Sequence, residues 1–513
     1  MSDAMETDRQ SHATSSERGR ATLDSVGTNQ GRSVDATKPA AQIPNPRRWL
    51  ILPVLLVAMF MAQFDLYVVN VAVPLLQHAL HADQGALELI VGGYAFTYAS
   101  GLVIGGKLGD LFGHRRLFLS GMVAFIATSL LCGLAQSPSQ LVWARLLQGL
   151  TAAALVPQVL ALIAAVFPAE ERPRALSWFG VTMGVGAVAG QVLGGALLQV
   201  NVFGLGWRVI FLVNVVVGTA ALACARPLLP ESKASDHPKL DPLGAIGVSG
   251  SLALVLVPLA LGRTEGWPAW AWVSLAAATP VMVVALWWER ALSGRGGQPL
   301  LDMGLFHDRA FNWGLVVNVG AFASFFSFLF TLTLVLQSGL GLTPLQAGLT
   351  PLQAGFTFAP LGVAFALASI TAKQFVARHG ARVITLGTVL AAVGLLSLLA
   401  VLKVSGGATS APELLAPMIL VGLGNGLAVP ALIGAVLAGV RTKQAGAAAG
   451  VLMTSQQFAS AVGIAGIGSV FFQALGANTG TAAYVSAFEW SVAFSMGLAL
   501  AASVMSTQLP GTK

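Results

Sequence analysis

Long apolar stretches separated by short polar connections fill the chain from Trp49 almost to its end. Each stretch has about twenty residues or more, the length at which an α-helix crosses a ~30 Å hydrocarbon core. Membrane-spanning strands would instead be about ten residues long and alternate apolar with polar positions. The pattern therefore predicts fourteen helical spans, with cores at 49–74, 86–106, 117–135, 141–167, 175–199, 208–229, 243–262, 268–288, 311–337, 349–372, 383–404, 413–438, 447–475 and 484–507.

The composition agrees with an integral membrane protein and excludes a water-soluble enzyme. Hydrophobic residues make up 55% of the chain and charged residues only 10%, whereas soluble domains carry about 25% charged residues. The net charge is +7, but the basic residues are scattered between spans, so nucleic acid is not expected as a partner. Cys132 and Cys224 lie inside spans, where a thiol behaves as a small apolar group, so no metal site is expected.

The segment 1–46 differs from the rest of the chain because it is polar and has few large apolar residues. Such a segment buries too little surface to offset the entropy lost on ordering, and we expect a disordered tail. A secretory signal peptide is not expected either, since the first apolar run begins only at Trp49.

Basic residues in the connections predict the orientation of the spans, because cytoplasmic loops carry an excess of Lys and Arg. Sixteen basic residues lie after even-numbered spans, and only Arg208, Arg263 and Lys403 lie after odd-numbered ones. Both termini are therefore expected on the cytoplasmic side, which requires an even number of spans.

An internal repeat relates the two ends of the chain. Arg145 to Pro157 in span 4 aligns with Met418 to Pro430 in span 12, with a glycine, a leucine and a Val-Pro pair in common. Two further loci align at nearly the same offset, Gly180 with Gly450 and Gly113 with Gly380. The chain thus divides into six spans, two extra spans and six more, as in transporters built from repeats. We assign an N-terminal six-helix bundle to 47–229, a linker with two extra helices to 230–310 and a C-terminal six-helix bundle to 311–509.

The connection after span 2 has an unusual pattern of glycines and charges between Gly105 and Gly121. Glycines at four-residue intervals let helix backbones approach closely, and an acid next to arginines places opposite charges at a helix end. A simple cytoplasmic turn would explain the arginines but not the acid together with the glycine spacing. The candidate gate residues are Gly105, Gly109, Asp110, Gly113, Arg115 and Arg116.

This connection resembles the signature loop of the major facilitator superfamily, in which acidic and basic residues form a cytoplasmic latch. The resemblance implies an all-α integral membrane fold of two six-helix bundles plus two extra helices. It also implies that Asp110 faces the start of span 11 and that Arg115 or Arg116 meets an acid such as Glu170 or Glu171. The repeat copy has Ala377 at the position of Asp110, so a second latch would be incomplete.

Asp65 in span 1 and Arg145 in span 4 are charged residues inside apolar helices, where an acid costs about 2.5 kcal/mol or more. The rise of ~1.5 Å per residue puts Asp65 roughly 24 Å from Trp49, in the outer half, and Arg145 about 6 Å below the outer face. The two side chains can thus share a depth. Asp65 is either a structural hydrogen-bonded acid or a proton-binding group tuned by Arg145.

Spans 1 and 4 narrow the resemblance to the fourteen-span drug:proton antiporters. The matching segments are Phe64 to Pro74, with its Asp followed by Val-Val-Asn-Val-Ala-Val-Pro, and Arg145 to Gly149. Span 5 is similar to the antiporter motif of that family but has Gln191 where the usual pattern has proline, which puts a kink there in doubt. The motif residues are Gly186, Gly190, Gln191, Gly194 and Gly195.

Other polar or aromatic side chains inside spans are candidates for a substrate cavity, although most such groups serve packing or inter-helix hydrogen bonds. Glu489 in span 14 is either an interfacial residue that reaches outward or a second proton or cation site. The candidates are Gln63, Asn70, Gln148, Asn318, Phe326, Asn425, Gln457 and Glu489.

These features together predict a transporter of the cytoplasmic membrane, with no resident cofactor and protons as the coupling ion. We expect export of hydrophobic or amphipathic small molecules by antiport, carried out by a monomer in the lipid bilayer. The direction of transport rests on the resemblance, and a proton-coupled symporter for a small metabolite or ion remains open. An integral membrane transferase would need acids or histidines clustered at one membrane face, and none is convincing.

Overall fold

The computed structural model describes residues 46–508, apart from 169, 231–240, 263–264, 296, 298, 302, 337–358, 406–410, 442–443, 477 and 479. Residues 1–45 of the predicted tail, residue 337 of the predicted ninth span and residues 349–358 of the predicted tenth span lie outside this part of the chain. All regular structure in the described residues is helical.

Fourteen α-helices follow one another along the described chain, in the number predicted from hydropathy. Thirteen of them have the length and apolar composition of a membrane span, and the other, α5, has 29 residues. They are α1 (Arg48–Leu80), α2 (Gln84–Phe112), α3 (His114–Leu134), α4 (Pro138–Val166), α5 (Arg172–Val200), α6 (Val209–Leu228), α7 (Pro242–Leu261), α8 (Ala269–Gly294), α9 (Arg309–Leu334), α10 (Ala359–His379), α11 (Arg382–Val404), α12 (Ala411–Leu437), α13 (Ala445–Leu475) and α14 (Thr481–Ser506).

Short polar side chains mark where several helices begin. Asp83, Ser137, Asp241 and Asp308 each accept a hydrogen bond from a backbone N–H in the first turn of α2, α4, α7 and α9, which satisfies a donor that has no intrahelical partner. Gly113 separates α2 from α3 with φ 92°, a conformation that a residue with a Cβ seldom adopts. These residues set the ends of the helices, and the apolar segments between the ends have the length of a membrane span.

Helix contacts repeat with a shift of eight helices, as the internal sequence repeat predicts. The pairs α1–α5, α2–α4 and α3–α6 in the first half correspond to α9–α13, α10–α12 and α11–α14 in the second. The fold is therefore two six-helix bundles with α7 and α8 added between them. The exact domain boundaries assigned from the sequence stay predictions.

The halves meet along two seams, α2 with α13 and α5 with α10. Glycines make both contacts close. A Cβ added to Gly106 would collide with the carbonyl oxygen of Gly446, and one added to Gly450 would lie 2.6 Å from the Leu102 carbonyl oxygen. At the other seam, a Cβ on Gly180 would lie 3.5 Å from Ser369 Oγ of α10 and 2.6 Å from Pro430 Cγ of the adjacent α12. Gly180 and Gly450, which the repeat aligns, thus occupy equivalent places at the two seams.

The additional helices α7 and α8 pack on each other, and α7 also contacts α2 and α13. Apolar side chains from α2, α7 and α8 form the contact, and they include Ala99, Val103, Val248, Leu252 and Ala285. The added pair therefore lies against the α2–α13 seam.

The close approach at Gly106 can be tested by a single methyl group. Gly106→Ala places a Cβ against the Gly446 backbone, and we expect a loss of about 1–3 kcal/mol through overpacking, measured as a lower temperature of unfolding in detergent. Gly466→Ala is the matched control, because a Cβ at Gly466 on α13 would meet nothing within 4 Å. Equal unfolding temperatures for the two variants would contradict the close seam.

Candidate functional site

The carboxylate of Asp65 is completely buried between α1, α4 and α6. Arg145 Nη1 forms an ion pair with Oδ2. The second oxygen, Oδ1, accepts hydrogen bonds from Gln148 Nε2 at 3.1 Å and from Asn214 Nδ2 at 2.9 Å. Three helices thus supply four side chains to one network, which joins the two charged residues that the sequence placed at the same depth.

Arg145 is also completely buried and is held from several sides. Its Nε donates to the Ile90 carbonyl oxygen at 3.1 Å, and Nη1 also donates to Gln148 Oε1 at 2.8 Å. The guanidinium lies 4.4 Å from the ring centroid of Tyr94, close enough for a cation–π interaction. Within the described residues, Nη2 has no hydrogen-bond partner. Removing one member of such a buried pair costs about 3–5 kcal/mol, since the other charge is left without its partner.

Gln148 connects this ion pair to α3. Its Nε2 donates to Ser129 Oγ at 2.9 Å, and the thiol of Cys132 donates to its Oε1 at 3.3 Å. The sequence placed Gln148 among the cavity candidates, and the structure places it in the charge network instead. Asn214 and Ser129 are not among the predicted site residues, although a lone amide in the apolar run of α6 is a usable signal.

The glycines of the antiporter motif bring α5 close to α1 beside Asp65. Gly186, Gly190 and Gly194 lie four residues apart on one face, and a Cβ on Gly190 would be 2.9 Å from the Phe64 carbonyl oxygen. Gly195 is buried on the same helix. Helix α5 continues through position 191, but the side chain of Gln191 lies outside what the structure describes.

Asp110, at the end of α2, caps the start of α13. Its Oδ1 accepts from the Gly446 N–H at 3.0 Å and its Oδ2 from the Ala447 N–H at 2.8 Å, whereas the N-cap residue of α13, Gln444, makes no side-chain capping bond. The expectation that Asp110 faces span 11 is wrong. The two additional helices precede the second half, so the fifth helix of that half is the thirteenth of this chain.

His114 and Gln158 complete the latch, and neither was predicted. His114 Nε2 lies 3.5 Å from Asp110 Oδ1, and His114 Nδ1 lies 2.9 Å from Gln158 Oε1. Gln158 Nε2 in turn donates to the Gly105 carbonyl oxygen at 2.8 Å. A Cβ on Gly109 would collide with the Gln158 amide, so this glycine leaves the room that the latch needs.

The arginines of the latch loop do not have the predicted partner Glu171. Arg115 Nη2 donates to the Arg226 carbonyl oxygen at 2.9 Å, and the side chain of Arg116 is exposed. Glu171 pairs instead with Arg48, whose Nη2 lies 2.7 Å from Oε1. The hydrogen bonds from Arg48 hold the pKa of the Glu171 carboxyl below its usual range.

A narrow cavity lies between the two halves, with a volume of ≈ 20 Å³. Three predicted cavity residues line it, namely Gln63, Phe326 and Gln457. The other lining side chains are Met59, Tyr67, Tyr98, Met183, Phe322, Met453 and Gln456. Small-molecule sites have volumes of about 300–1,000 Å³, so the cavity is nearly closed in this conformation and admits a cargo only when the halves move apart. The cavity lining therefore has three glutamine amides, and its other side chains are methionine, tyrosine and phenylalanine.

Comparison with known proteins identifies the family. The model of the Major Facilitator Superfamily matches residues 55–464, which is most of the chain. The chain belongs to the Major Facilitator Superfamily. It is therefore a multi-pass membrane transporter rather than an enzyme, as the sequence predicts.

Two relatives of the transporter are named for antibiotics. It is 36% identical to the probable actinorhodin transporter of Streptomyces coelicolor, over 85% of this chain and 74% of that protein. It is 32% identical to the puromycin resistance protein pur8 of Streptomyces alboniger, over 92% of this chain and 93% of that protein. The crystal structure of the human organic anion transporter MFSD10 has the same fold, with a TM-score of 0.59, 18% identity, and coverage of 90% of this chain and 100% of the other.

Three of the predicted cavity residues of the transporter, Asn70, Asn318 and Asn425, do not line the central cavity. Asn70 is exposed on α1. Asn318 is buried and donates to Ser455 Oγ at 2.8 Å, so it joins α9 to α13. Asn425 donates to a carbonyl oxygen of its own helix. These three amides serve helix packing or lie at the surface, and polarity within an apolar span does not by itself distinguish such roles.

Glu489 of the transporter lies at the surface and not in the cavity. Its Oε1 lies 2.6 Å from Lys403 Nζ, and its side chain is 44% exposed. Of the two interpretations left open by the sequence, this contact favours an interfacial ion pair. An exposed pair of this kind contributes about 0–1 kcal/mol to stability.

The cap that Asp110 supplies to α13 can be measured at individual amides. Asp110→Ala removes two charge-assisted hydrogen bonds, so we expect amide hydrogen exchange at Gly446 and Ala447 to accelerate roughly 10- to 100-fold. Asp83→Ala is the control, because Asp83 caps α2 at the opposite end of that helix. Unchanged exchange at the start of α13 in Asp110→Ala would rule out the cap.

Proposed function

We propose that the transporter exports hydrophobic or amphipathic small molecules in exchange for protons, by alternating access. The observation that carries the proposal is the carboxylate of Asp65, sealed inside an apolar bundle against Arg145. Ionisable groups inside membrane proteins are costly, and they are retained mainly where they bind ions or protons.

Asp65 has two chemically distinct states in this site. With Arg145, Gln148 and Asn214 in place, three donors stabilise the ionised carboxylate. If Arg145 moves away, the same carboxylate is left buried without a counter-charge, and it takes up a proton. A movement of α4 relative to α1 therefore converts between a proton-free and a proton-bound site.

Helix α1 connects this proton site to the substrate cavity. Gln63 and Tyr67 line the cavity between the halves, and Asp65, between them in sequence, lies in the buried network with Arg145. A molecule that pushes on Gln63 or Tyr67 acts on the same helix turn that carries the acid. The glycine face of α5 lets α1 pack closely there, so a small shift of one helix reaches both sites.

The chemistry of the cavity supports an apolar or amphipathic cargo. Methionine and aromatic side chains adapt to varied apolar shapes, and the glutamines offer a few hydrogen bonds. Export in particular is supported by relatives named for antibiotic transport and resistance. The loop charges support a place in the cytoplasmic membrane with both termini in the cytoplasm. The transporter works in this proposal as a monomer in the bilayer, with the proton as coupling ion and no resident cofactor.

Replacing Asp65 by asparagine tests the coupling directly. Asp65→Asn keeps the shape of the side chain but cannot exchange a proton, so we expect pH-gradient-driven uphill transport of ethidium or puromycin in proteoliposomes to be lost. Downhill movement of the same probes should persist. Thermal unfolding of the variant checks that it folds, because Arg145 is left without its counter-charge.

The control for this measurement is Glu489→Gln, which removes an acid whose partner is a surface lysine and should transport as the wild type does. Undiminished uphill transport by Asp65→Asn would refute the coupling role of Asp65. Proton-driven accumulation of the probes on the opposite side of the membrane would indicate symport instead.

Arg145→Lys tests whether a positive charge at position 145 is sufficient or whether the shape of the guanidinium is also needed. Lysine keeps the positive charge but lacks the planar fork that reaches Asp65, Gln148 and the Ile90 carbonyl together. Losing one hydrogen bond of a charged group costs about 1.5–3 kcal/mol, so we expect the rate of coupled transport to fall roughly 10- to 100-fold. Arg116→Lys, at an exposed position, should leave the rate unchanged. A wild-type rate in Arg145→Lys would mean that charge alone is sufficient.

A further inference from the structure

Two buried carboxyl groups lie together in the additional helices, far along the sequence from Asp65. Asp241 is the N-cap residue of α7, and Glu289 lies in the last turns of α8. Glu289 has no solvent-exposed surface and Asp241 is 7% exposed. They lie at the end of the helix pair that is close to Lys107, near the latch end of α2.

Their hydrogen bonds leave one oxygen unsatisfied. Asp241 accepts from Trp288 Nε1 at 3.0 and 3.2 Å and from the Leu243 N–H at 3.2 Å. Glu289 Oε2 accepts from the Leu301 N–H at 3.4 Å. Glu289 Oε1 is buried without a hydrogen-bond partner among the described residues. Both carboxylate oxygens of Asp241 thus have a hydrogen-bond donor, whereas Oε1 of Glu289 has none among the described residues.

The unsatisfied oxygen is directed toward the other acid. A Cβ added to Gly244 would collide with both Glu289 Oε1 and Asp241 Oδ2, so these two oxygens converge on the same small space. Two ionised carboxylates in a buried site repel each other, and one of them binds a proton instead. A proton on Oε1 would also turn the orphaned acceptor into a donor for Asp241.

Among the described residues, Lys107 is a cation near the two acids, and the side chains packed around them are largely apolar. Lys107 on α2 is close enough to act electrostatically on both Glu289 and Asp110. Arg290, next in the chain, has an exposed side chain. From α13, the partly buried Val451 and Phe458 pack against the same apolar cluster. In the described part of the chain, no group of three or more His, Cys, Asp or Glu residues could hold a metal ion, so the geometry favours a proton.

We propose that Glu289 and Asp241 share one proton and form a second proton-binding site, built by the two additional helices and separate from Asp65. Loss of that proton adds a negative charge near Lys107, which then competes with Asp110 for the same cation. The site thereby makes the α2–α13 latch sensitive to pH at its own end of the membrane. The site does not require Asp65 to be the coupling residue, so either proposal can fail alone.

Infrared difference spectroscopy of the purified transporter in lipid nanodiscs tests the site. The C=O stretch of a protonated carboxylic acid is resolved from carboxylate bands and shifts in D₂O. We expect a titrating band in the wild type that is lost in Glu289→Gln and kept in Glu265→Gln. Glu265 is the matched control, because it lies on the exposed connection between the same two helices. A band that is unchanged in Glu289→Gln would overturn the proposal.

Two further variants test the sharing of the proton and do not depend on whether Glu289→Gln folds. Asp241→Asn keeps a capping oxygen but removes the repelling charge, so the midpoint of the band should move to lower pH by roughly one unit. Lys107→Gln removes the nearby cation and should move the midpoint to higher pH, whereas Arg290→Gln should leave it in place. An unmoved midpoint in Asp241→Asn would show that the acids do not share a proton.

Discussion

The buried ion pair of Asp65 and Arg145 constrains the whole N-terminal half. In a bilayer no water is available to satisfy a charge, so the pair depends on partners from the protein itself. Among the described residues, all of its polar side-chain atoms except Arg145 Nη2 have one. The partners come from α2, α4 and α6, and they include the Ile90 carbonyl, Gln148, Asn214 and the ring of Tyr94. Four helices are therefore fixed in register by one salt bridge, while the glycines of α5 let the remaining neighbour of α1 approach. Because these helices share the pair as a common hydrogen-bonding centre, a change in the charge of Asp65 alters contacts on all of them.

Much of the fold could be predicted from the sequence, because membrane spans depend on length and apolar composition alone. The fourteen spans, the repeat and the six-two-six division all follow from such local or periodic features. Helix partners were harder to predict, as Asp110 demonstrates. The resemblance identified it as a latch residue, yet the expected span was wrong, because the number of a helix in the chain is not its place in the bundle.

Asp65 and Arg145 could be predicted as site residues because a charged side chain inside an apolar span is rare and costly. The site was less predictable where polar residues are common within helices. Asn70, Asn318 and Gln457 look alike in sequence, but one is exposed, one joins two helices and one lines the cavity. Which of these roles a side chain takes depends on the rotation of its helix, and this is set by contacts between distant segments. His114 and Gln158 could not be predicted for the same reason, because their role depends on the contact between Asp110 and the start of α13.

The cap that Asp110 places on α13 also sets a scale for the conformational equilibrium. Its two charge-assisted hydrogen bonds are worth about 3 kcal/mol together, which corresponds to a population ratio of roughly 100 to 1. The cap favours, by this factor, the arrangement with the latch made, and a ligand can offset the factor only through tighter binding to another arrangement. In the proposed alternating-access cycle, the free energy that breaks this cap therefore comes from a difference in cargo affinity or proton affinity between the two arrangements.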